Sequence, residues 1–254
     1  MILVLGGTAD GREAAERLAA AGRSVIYSSI SAYNAPAESV RLGWHIGAMD
    51  AQGLAAMLRE RAITLLVDGT HPYARTASEN ALAACRELGV RYIRLERPGL
   101  EAMAEKDAVI RCESYEAAVA YLKTHPGNVL TTTGSRELSR YQALPRERVF
   151  PRVLPTAEVI AKCEELGYLP RQIVAMQGPF SFELNAAMIH ALNIRYVTTK
   201  DSGDIGGVAE KIRAAAACGA EVLCIDRPKL DYPETVATAE ALVARLMPQK
   251  GGQS

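Results

Sequence analysis

The sequence predicts an α/β protein built from two mainly parallel sheets, each covered by helices on both faces. Three observations carry that prediction. Short apolar, β-branched runs alternate with helical segments along almost the whole chain, and regular alternation of strand and helix specifies a parallel sheet. Glycine-rich turns follow directly after several of these runs. The pair Pro98-Gly99 breaks the alternation near the middle, as chain breakers do at a boundary between folding units.

The opening run MILVL is wholly apolar, as a strand covered on both faces requires. Gly6-Gly7 turns the chain, and REAAERLAAAG reads as a helix stopped by Gly22. The next elements are a strand at 24–30, a helix at 50–61, a strand at 64–70, a helix at 74–88 and a strand at 90–97. After the polar stretch LEAMAEKD the series restarts with the strand AVIRC, the helix SYEAAVAYLKT, the strand NVLTTTG and a helix over 136–143. It continues with RVFPRVLP, a helix at 157–165, the strand QIVAMQG, a helix at 181–192 and the strand RYVTTKDSG. A helix at 208–218, the strand EVLCIDRP and a final helix at 234–247 complete it. The expected organisation is an N-terminal Rossmann-like domain over 1–98, a linker over 99–107, a C-terminal Rossmann-like domain over 108–248 and a flexible tail over 249–254. The two domains are expected to enclose a cleft.

Composition narrows the function classes. Of the 254 residues, 49% are hydrophobic and 23% charged, which is globular composition. Lys plus Arg and Asp plus Glu both number 29, so no overall field draws the chain to nucleic acid or an anionic membrane, and anionic ligands must be met by locally placed cations. The five cysteines stand far apart with no C-x-x-C pair, so they read as buried thiols in a reducing compartment and no metal is expected. No apolar run approaches the roughly 20 residues of a spanning helix, and no leader pattern opens the chain. A soluble cytoplasmic protein without membrane or nucleic-acid partners is the expectation, with oligomeric state open and monomer included. G-x-S-x-G and the P-loop pattern are both missing, which argues against a serine hydrolase and a P-loop enzyme. Tyr73, Tyr141, Phe180, Phe182 and Tyr196 are scattered, unlike a base-stacking platform.

Ligands of open parallel sheets collect at the carboxyl ends of strands, and the unusual residues fall there. GGTADGR places Gly6 and Gly11 at the outer positions of a dinucleotide fingerprint, with Thr8 in the middle glycine site. Such a turn either cradles a phosphate at a helix N-terminus or simply turns the chain. The second strand ends in Ser28-Ser29 rather than a carboxylate, which favours NADP over NAD if a nucleotide binds there. The third ends in Asp68-Gly69-Thr70-His71. His71 is a candidate proton donor with a capping or structural role as the alternative, and Asp68 is equally a capping acceptor. In the second half TTTGSRE brings Thr133, Gly134 and Arg136, MQGPFSFELN brings Gln177, Ser181 as N-cap and Asn185, and KDSGDIGG brings Lys200, Asp201 and Ser202.

Taken together, GGTADGR, DGTHPYA, YIRLERP, TTTGS, MQGPFSFELN and KDSGDIGG, in this order from residue 1 to about residue 228, resemble the precorrin-6A reductase family of cobalamin biosynthesis. The resemblance implies an enzyme that uses NADPH to reduce one double bond of the precorrin-6A macrocycle to precorrin-6B. An anaerobic branch of the family handles the cobalt-bearing substrate. It implies that Gly7, Thr8, Gly11, Arg12, Ser28 and Ser29 hold NADPH, with Thr70, Thr133 and Gly134 taking part. The substrate is a polycarboxylate tetrapyrrole, so Arg97, Arg136, Lys200 and Arg227 are its expected charge partners. Gln177, Ser181, Asn185, Asp201 and Ser202 are expected beside them. His71 or solvent supplies the proton. A non-catalytic tetrapyrrole or nucleotide carrier and an NADP-dependent reductase of another molecule are the competing expectations.

Overall fold

The computed structural model describes residues 1–32, 35–102, 106–203 and 207–247. The expected tail at 249–254 and the centre of KDSGDIGG lie outside the described residues. Among those described, the first strands are β1 (Ile2–Leu5), β2 (Val25–Ser29), β3 (Leu42–Ile46), β4 (Leu65–Asp68) and β5 (Arg91–Leu95). They are followed by β6 (Val109–Cys112), β7 (Asn128–Thr131), β8 (Val149–Val153), β9 (Val174–Ala175), β10 (Ile194–Lys200), β11 (Glu221–Ile225) and β12 (Thr235–Val236). Between them run α1 (Ala9–Ala20), α2 (Ala51–Glu60), α3 (Arg75–Leu88), α4 (Tyr115–Thr124), α5 (Ala157–Glu165), α6 (Phe182–Ala191) and α7 (Val208–Ala217), with α8 (Ala239–Leu246) last.

The chain forms two compact units, Met1–Arg97 joined by the segment from Pro228, and Pro98–Arg227. The first sheet runs β3-β2-β1-β4-β5-β12 and the second β9-β8-β7-β10-β11-β6, with every ladder parallel. Counting from the central strand outward, each has the order 3-2-1-4-5-6 of a Rossmann fold. Local chemistry sets the helix starts. Thr8, Asp50, Ser114, Thr156, Ser181 and Thr238 each accept a bond from the backbone N–H three residues on, which satisfies one of the orphan donors of a first turn. Ser181 is thus the N-cap the sequence predicts.

In the first unit Ile2, Val4, Ala14, Leu18 and Leu242 share one core cluster, and Leu3, Leu5, Leu58, Leu66 and Ala84 share another. The wholly apolar β1 therefore feeds a core on each face, as a parallel sheet demands.

Four expectations are corrected. Residues 228–247 belong to the first unit, because β12 pairs with β5, Arg94 and Glu96 N–H groups donate to Glu234 and Val236 carbonyls at 2.8 and 2.9 Å, and α8 buries Leu242 in the first core. Each sheet thus takes its sixth strand from across the chain crossing: β6 follows β5 in sequence but pairs with β11. The expected linker is partly core of the second unit, since Leu100 is fully buried there and its N–H donates to Asp201 Oδ1 at 2.8 Å. The helix expected over 136–143 is a 3₁₀ helix at Leu138–Ala143. Residues 42–46, left without an element by the sequence, form the edge strand β3, whose Trp44 and Ile46 are exposed. No helix among the described residues is long and apolar enough to cross a membrane, and all five cysteines are free thiols.

Candidate functional site

In the first unit the glycine turn after β1 is shaped from within. Thr8 is buried, and its hydroxyl donates to the Gly69 carbonyl at 2.6 Å while accepting from the Gly11 N–H at 3.0 Å. A Cβ on Gly11 would sit 3.0 Å from the Gly69 oxygen and 3.1 Å from Gly6 Cα, so close approach of two turns explains that glycine. The Gly7 N–H donates to the Tyr27 hydroxyl at 2.8 Å. Gly7 itself has φ +95°, with nothing within 4 Å of a Cβ built on it. Arg12 is exposed and pairs with Glu16 at 2.9 Å. Arg97 pairs with Asp10 at 2.6 Å, neutralising the carboxylate in the first turn of α1.

Ser28 Oγ lies 3.2 Å from His45 Nδ1, and the Ser29 hydroxyl donates to the Ser31 carbonyl at 2.6 Å. No carboxylate stands at the end of β2. At the end of β4, Asp68 is fully buried and Thr70 donates to it through its hydroxyl at 2.7 Å. Burial pushes the Asp68 carboxyl up, but Arg94 and the Ser78, Tyr92 and Thr70 hydroxyls outweigh it and hold it below the ordinary value. Asp68 is therefore neither a free base nor a helix cap. His71 is half-buried, with Nδ1 accepting from the Tyr73 N–H at 3.3 Å.

In the second unit Thr133 is buried 3.4 Å from the Tyr141 hydroxyl, which burial pushes up to about 12. Gly134 has φ +83°, and Arg136 and Gln177 are exposed. Ser181 accepts from the Leu184 N–H at 3.3 Å. Asn185 is buried, donates to the Ser181 carbonyl at 2.8 Å and accepts from Arg152 at 2.8 Å. Burial pulls the Lys200 ammonium below its ordinary value, with Glu137 opposing and Arg136 reinforcing. Asp201 and Ser202 are buried. Arg227 donates to the Asp201 carbonyl at 2.9 Å and to the Pro98 carbonyl at 3.3 Å. Asp201 and Arg227 thus tie together the entry and exit of the second unit.

Sequence reasoning passed over two cations. Arg152 on β8 and Lys211 on α7 are both buried and line a cavity of about 530 Å³ with Thr132, Gly134, Phe180 and Gly207. A signal for Lys211 was present: it shares a helix face with Val208, Ile212 and Ala215, all buried, so a charge interrupts an apolar stripe.

Two doubly wound parallel sheets of Rossmann order, with glycine turns and cations at their strand ends, define an α/β protein of the Rossmann class built twice. Comparisons with known proteins narrow the class. The family model described as precorrin-6x reductase CbiJ/CobK matches residues 1–247. Cobalt-precorrin-6A reductase of Priestia megaterium is 32% identical over 98% of this chain and 99% of its own. Precorrin-6A reductase of Rhodobacter capsulatus is 31% identical over 96% of this chain and 95% of its own. The solved structure titled CobK precorrin-6A reductase superposes with a TM-score of 0.77 at 29% identity, covering 96% of this chain and 95% of that one. The chain belongs to the precorrin-6x reductase family, and the match extends past the last motif to include β12 and α8.

Proposed function

We propose that this protein catalyses the NADPH-dependent reduction of one double bond of precorrin-6A to precorrin-6B, as a soluble cytoplasmic enzyme of cobalamin biosynthesis. The observation that carries this reading is the family match over residues 1–247, on a chain whose two sheets both have Rossmann order. NADPH, when bound, supplies the hydride, which leaves positioning and electrostatics to the protein.

The residues of the first turn fit such a cofactor. Open space over Gly7 leaves room for a phosphate at the α1 N-terminus, the exposed Arg12 offers a cation, and Arg97 draws off the Asp10 charge. Thr8 and Gly11 hold the turn in shape. Ser28 and Ser29, without a neighbouring carboxylate on β2, tolerate a 2′-phosphate, and Thr70 follows β4 in the same unit; Thr133 and Gly134, in the second unit, are further cofactor-binding candidates. Arg136, Lys200, Gln177 and Ser181 face substrate carboxylates, for which charged and polar donors are apt. Asn185, Asp201 and Arg227 act as positioning residues, since Asn185 accepts from Arg152, Asp201 holds the Leu100 N–H and Arg227 holds the Asp201 carbonyl, and the buried Ser202 stands with them. His71 holds the proton delivered to the reduced carbon.

A second reading, reduction of the cobalt-bearing macrocycle, is favoured by relatives such as those of Priestia megaterium and Salmonella typhimurium, both named cobalt-precorrin-6A reductase. The test of both is loss of the near-ultraviolet absorbance of NADPH with metal-free precorrin-6A, with its cobalt complex, and with NADH in place of NADPH. Consumption of NADPH with one macrocycle and not the other assigns the branch. Silence with both, from folded protein that binds NADPH, overturns the reading.

A further inference from the structure

We infer that the Pro98–Arg227 unit carries an oxyanion-binding site, in the cavity lined by Arg152 and Lys211, that takes a phosphate or carboxylate group of the ligand. The inference deepens the reductase reading and, for the identity of the ligand, rests on it. The cavity lies where the residues following β7 (Thr132, Gly134) and those preceding and opening α7 (Gly207, Lys211) meet the end of β8. The chain winds from β7 outward to β8 and β9, then returns to β10 on the other side of β7. This is the reversal point at which doubly wound sheets bind ligands.

Arg152 is only 6% exposed. One of its N–H groups donates to Asn185 Oδ1 at 2.8 Å, and its guanidinium lies 3.9 Å from the Phe180 ring centroid. Among the described residues no carboxylate stands within 4.0 Å of it, whereas Arg94, the other buried arginine, has Asp68 at 2.9 Å and Glu96 at 3.6 Å. A buried guanidinium without a counter-charge is unfavourable, and an incoming anion supplies the missing charge. Lys211, 8% exposed, adds a second cation to the same wall, its Nζ 3.4 Å from Thr199 Oγ1. Burial lowers Arg152 to about 10, the direction of a cation that no anion compensates.

The surroundings suit charge recognition. Val153, Leu154, Met176 and Pro179 also line the cavity, and an apolar wall strengthens an ion contact by excluding water. The ten-residue helix α7 begins at the left-handed Gly207, which also lines the cavity.

The test uses the full chain and two variants, Lys211→Met, which keeps length and removes charge, and Arg152→Gln, which keeps a donor for Asn185. Inorganic pyrophosphate reads the cavity independently of the enzyme's substrate: it raises the melting midpoint of the wild type, and the rise is at least halved in each variant that folds. Equal rises in the wild type and Lys211→Met overturn the site, even if Arg152→Gln does not fold. Calorimetric titration with NADP⁺ and with uroporphyrin, a polycarboxylate tetrapyrrole, then identifies the source of the anion. A tenfold loss for NADP⁺ alone assigns a nucleotide phosphate, and a tenfold loss for uroporphyrin alone assigns a substrate carboxylate. Unchanged affinity for both overturns the site. Wild type that responds to pyrophosphate yet binds neither larger ligand keeps the site and removes the reductase reading.

Discussion

Arg94 donates to Asp68 at 2.9 Å with both side chains completely buried. Ser78 and Tyr92 hydroxyls donate to the other carboxylate oxygen at 2.6 Å each, and the Thr70 N–H and hydroxyl reach Asp68 Oδ1 at 3.0 and 2.7 Å. One carboxylate therefore ties β4, α3 and β5 to the turn that presents His71. Removing one partner of a buried pair strands the other charge, at about 3–5 kcal/mol. Arg94→Met is expected to lower the unfolding free energy by that amount in urea titration, and the Asp68→Asn/Arg94→Met double variant to recover part of it. Equal midpoints for wild type and Arg94→Met would remove the network from the stability of the first unit.

The same carboxylate has a pH signature. Its folded value lies below the ordinary 3.8, so its stabilisation is complete above about pH 4 and is lost as the pH falls through the folded value. Asp68→Asn is expected to be less stable than wild type at neutral pH and to show a flatter acid limb. Parallel acid limbs would contradict the assignment.

Thr8 occupies the position where a dinucleotide fingerprint has its middle glycine, and its hydroxyl is spent on Gly69 and Gly11. Thr8→Ala is expected to cost about 1–2 kcal/mol as a lost cap, with Thr8→Ser restoring most of it. A Thr8→Ala protein of wild-type stability but raised KM for NADPH would instead make the hydroxyl a cofactor contact.

The alternation of MILVL, TLLVDGT and EVLCIDRP with helical segments made both parallel sheets legible, because strands buried on both faces read as continuous apolar runs. β3 escaped because LGWHI is not a continuous apolar run, Gly43 and His45 interrupting it, and leaves Trp44 and Ile46 exposed at a sheet edge. β12 escaped for a different reason: Thr235–Val236 is two residues long, and its partner β5 lies far away in sequence, so nothing local marks it. The glycine turns were visible as motifs, but where each hydroxyl points depends on tertiary partners. Ser181 as N-cap follows from sequence alone, whereas the bond from Arg152 to Asn185 joins residues 33 apart and has no local trace.

His71 offers a cleaner separation of roles than alanine substitution gives. Its Nδ1 accepts from the Tyr73 N–H, a bond that an asparagine Oδ1 can reproduce, while asparagine cannot deliver a proton at neutral pH. His71→Asn is expected to keep stability within about 0.5 kcal/mol and to lower kcat at least tenfold, or about 1.4 kcal/mol of barrier. A loss smaller than about threefold would assign the proton to solvent and leave His71 as a turn residue.

Lys211 connects the proposed oxyanion site to stability. Burial, reinforced by Arg152 and opposed by Cys224, brings its ammonium from 10.5 down to about 7. Between about pH 7 and pH 10.5 the unfolded chain therefore holds a proton that the folded chain has released, so this group makes stability rise with pH across that window. Below about pH 7 both states are charged and the folded chain bears the whole penalty of the buried cation. Lys211→Met is accordingly expected to be more stable than wild type near pH 6, by about 1–4 kcal/mol, with the gap closing toward about pH 10 as measured by urea titration at each pH. Saturating pyrophosphate compensates the charge in the wild type, which raises the Lys211 value and narrows the gap at low pH. A difference between the two proteins that is the same at every pH would mean that Lys211 keeps its proton throughout, and its lowered value would then be wrong.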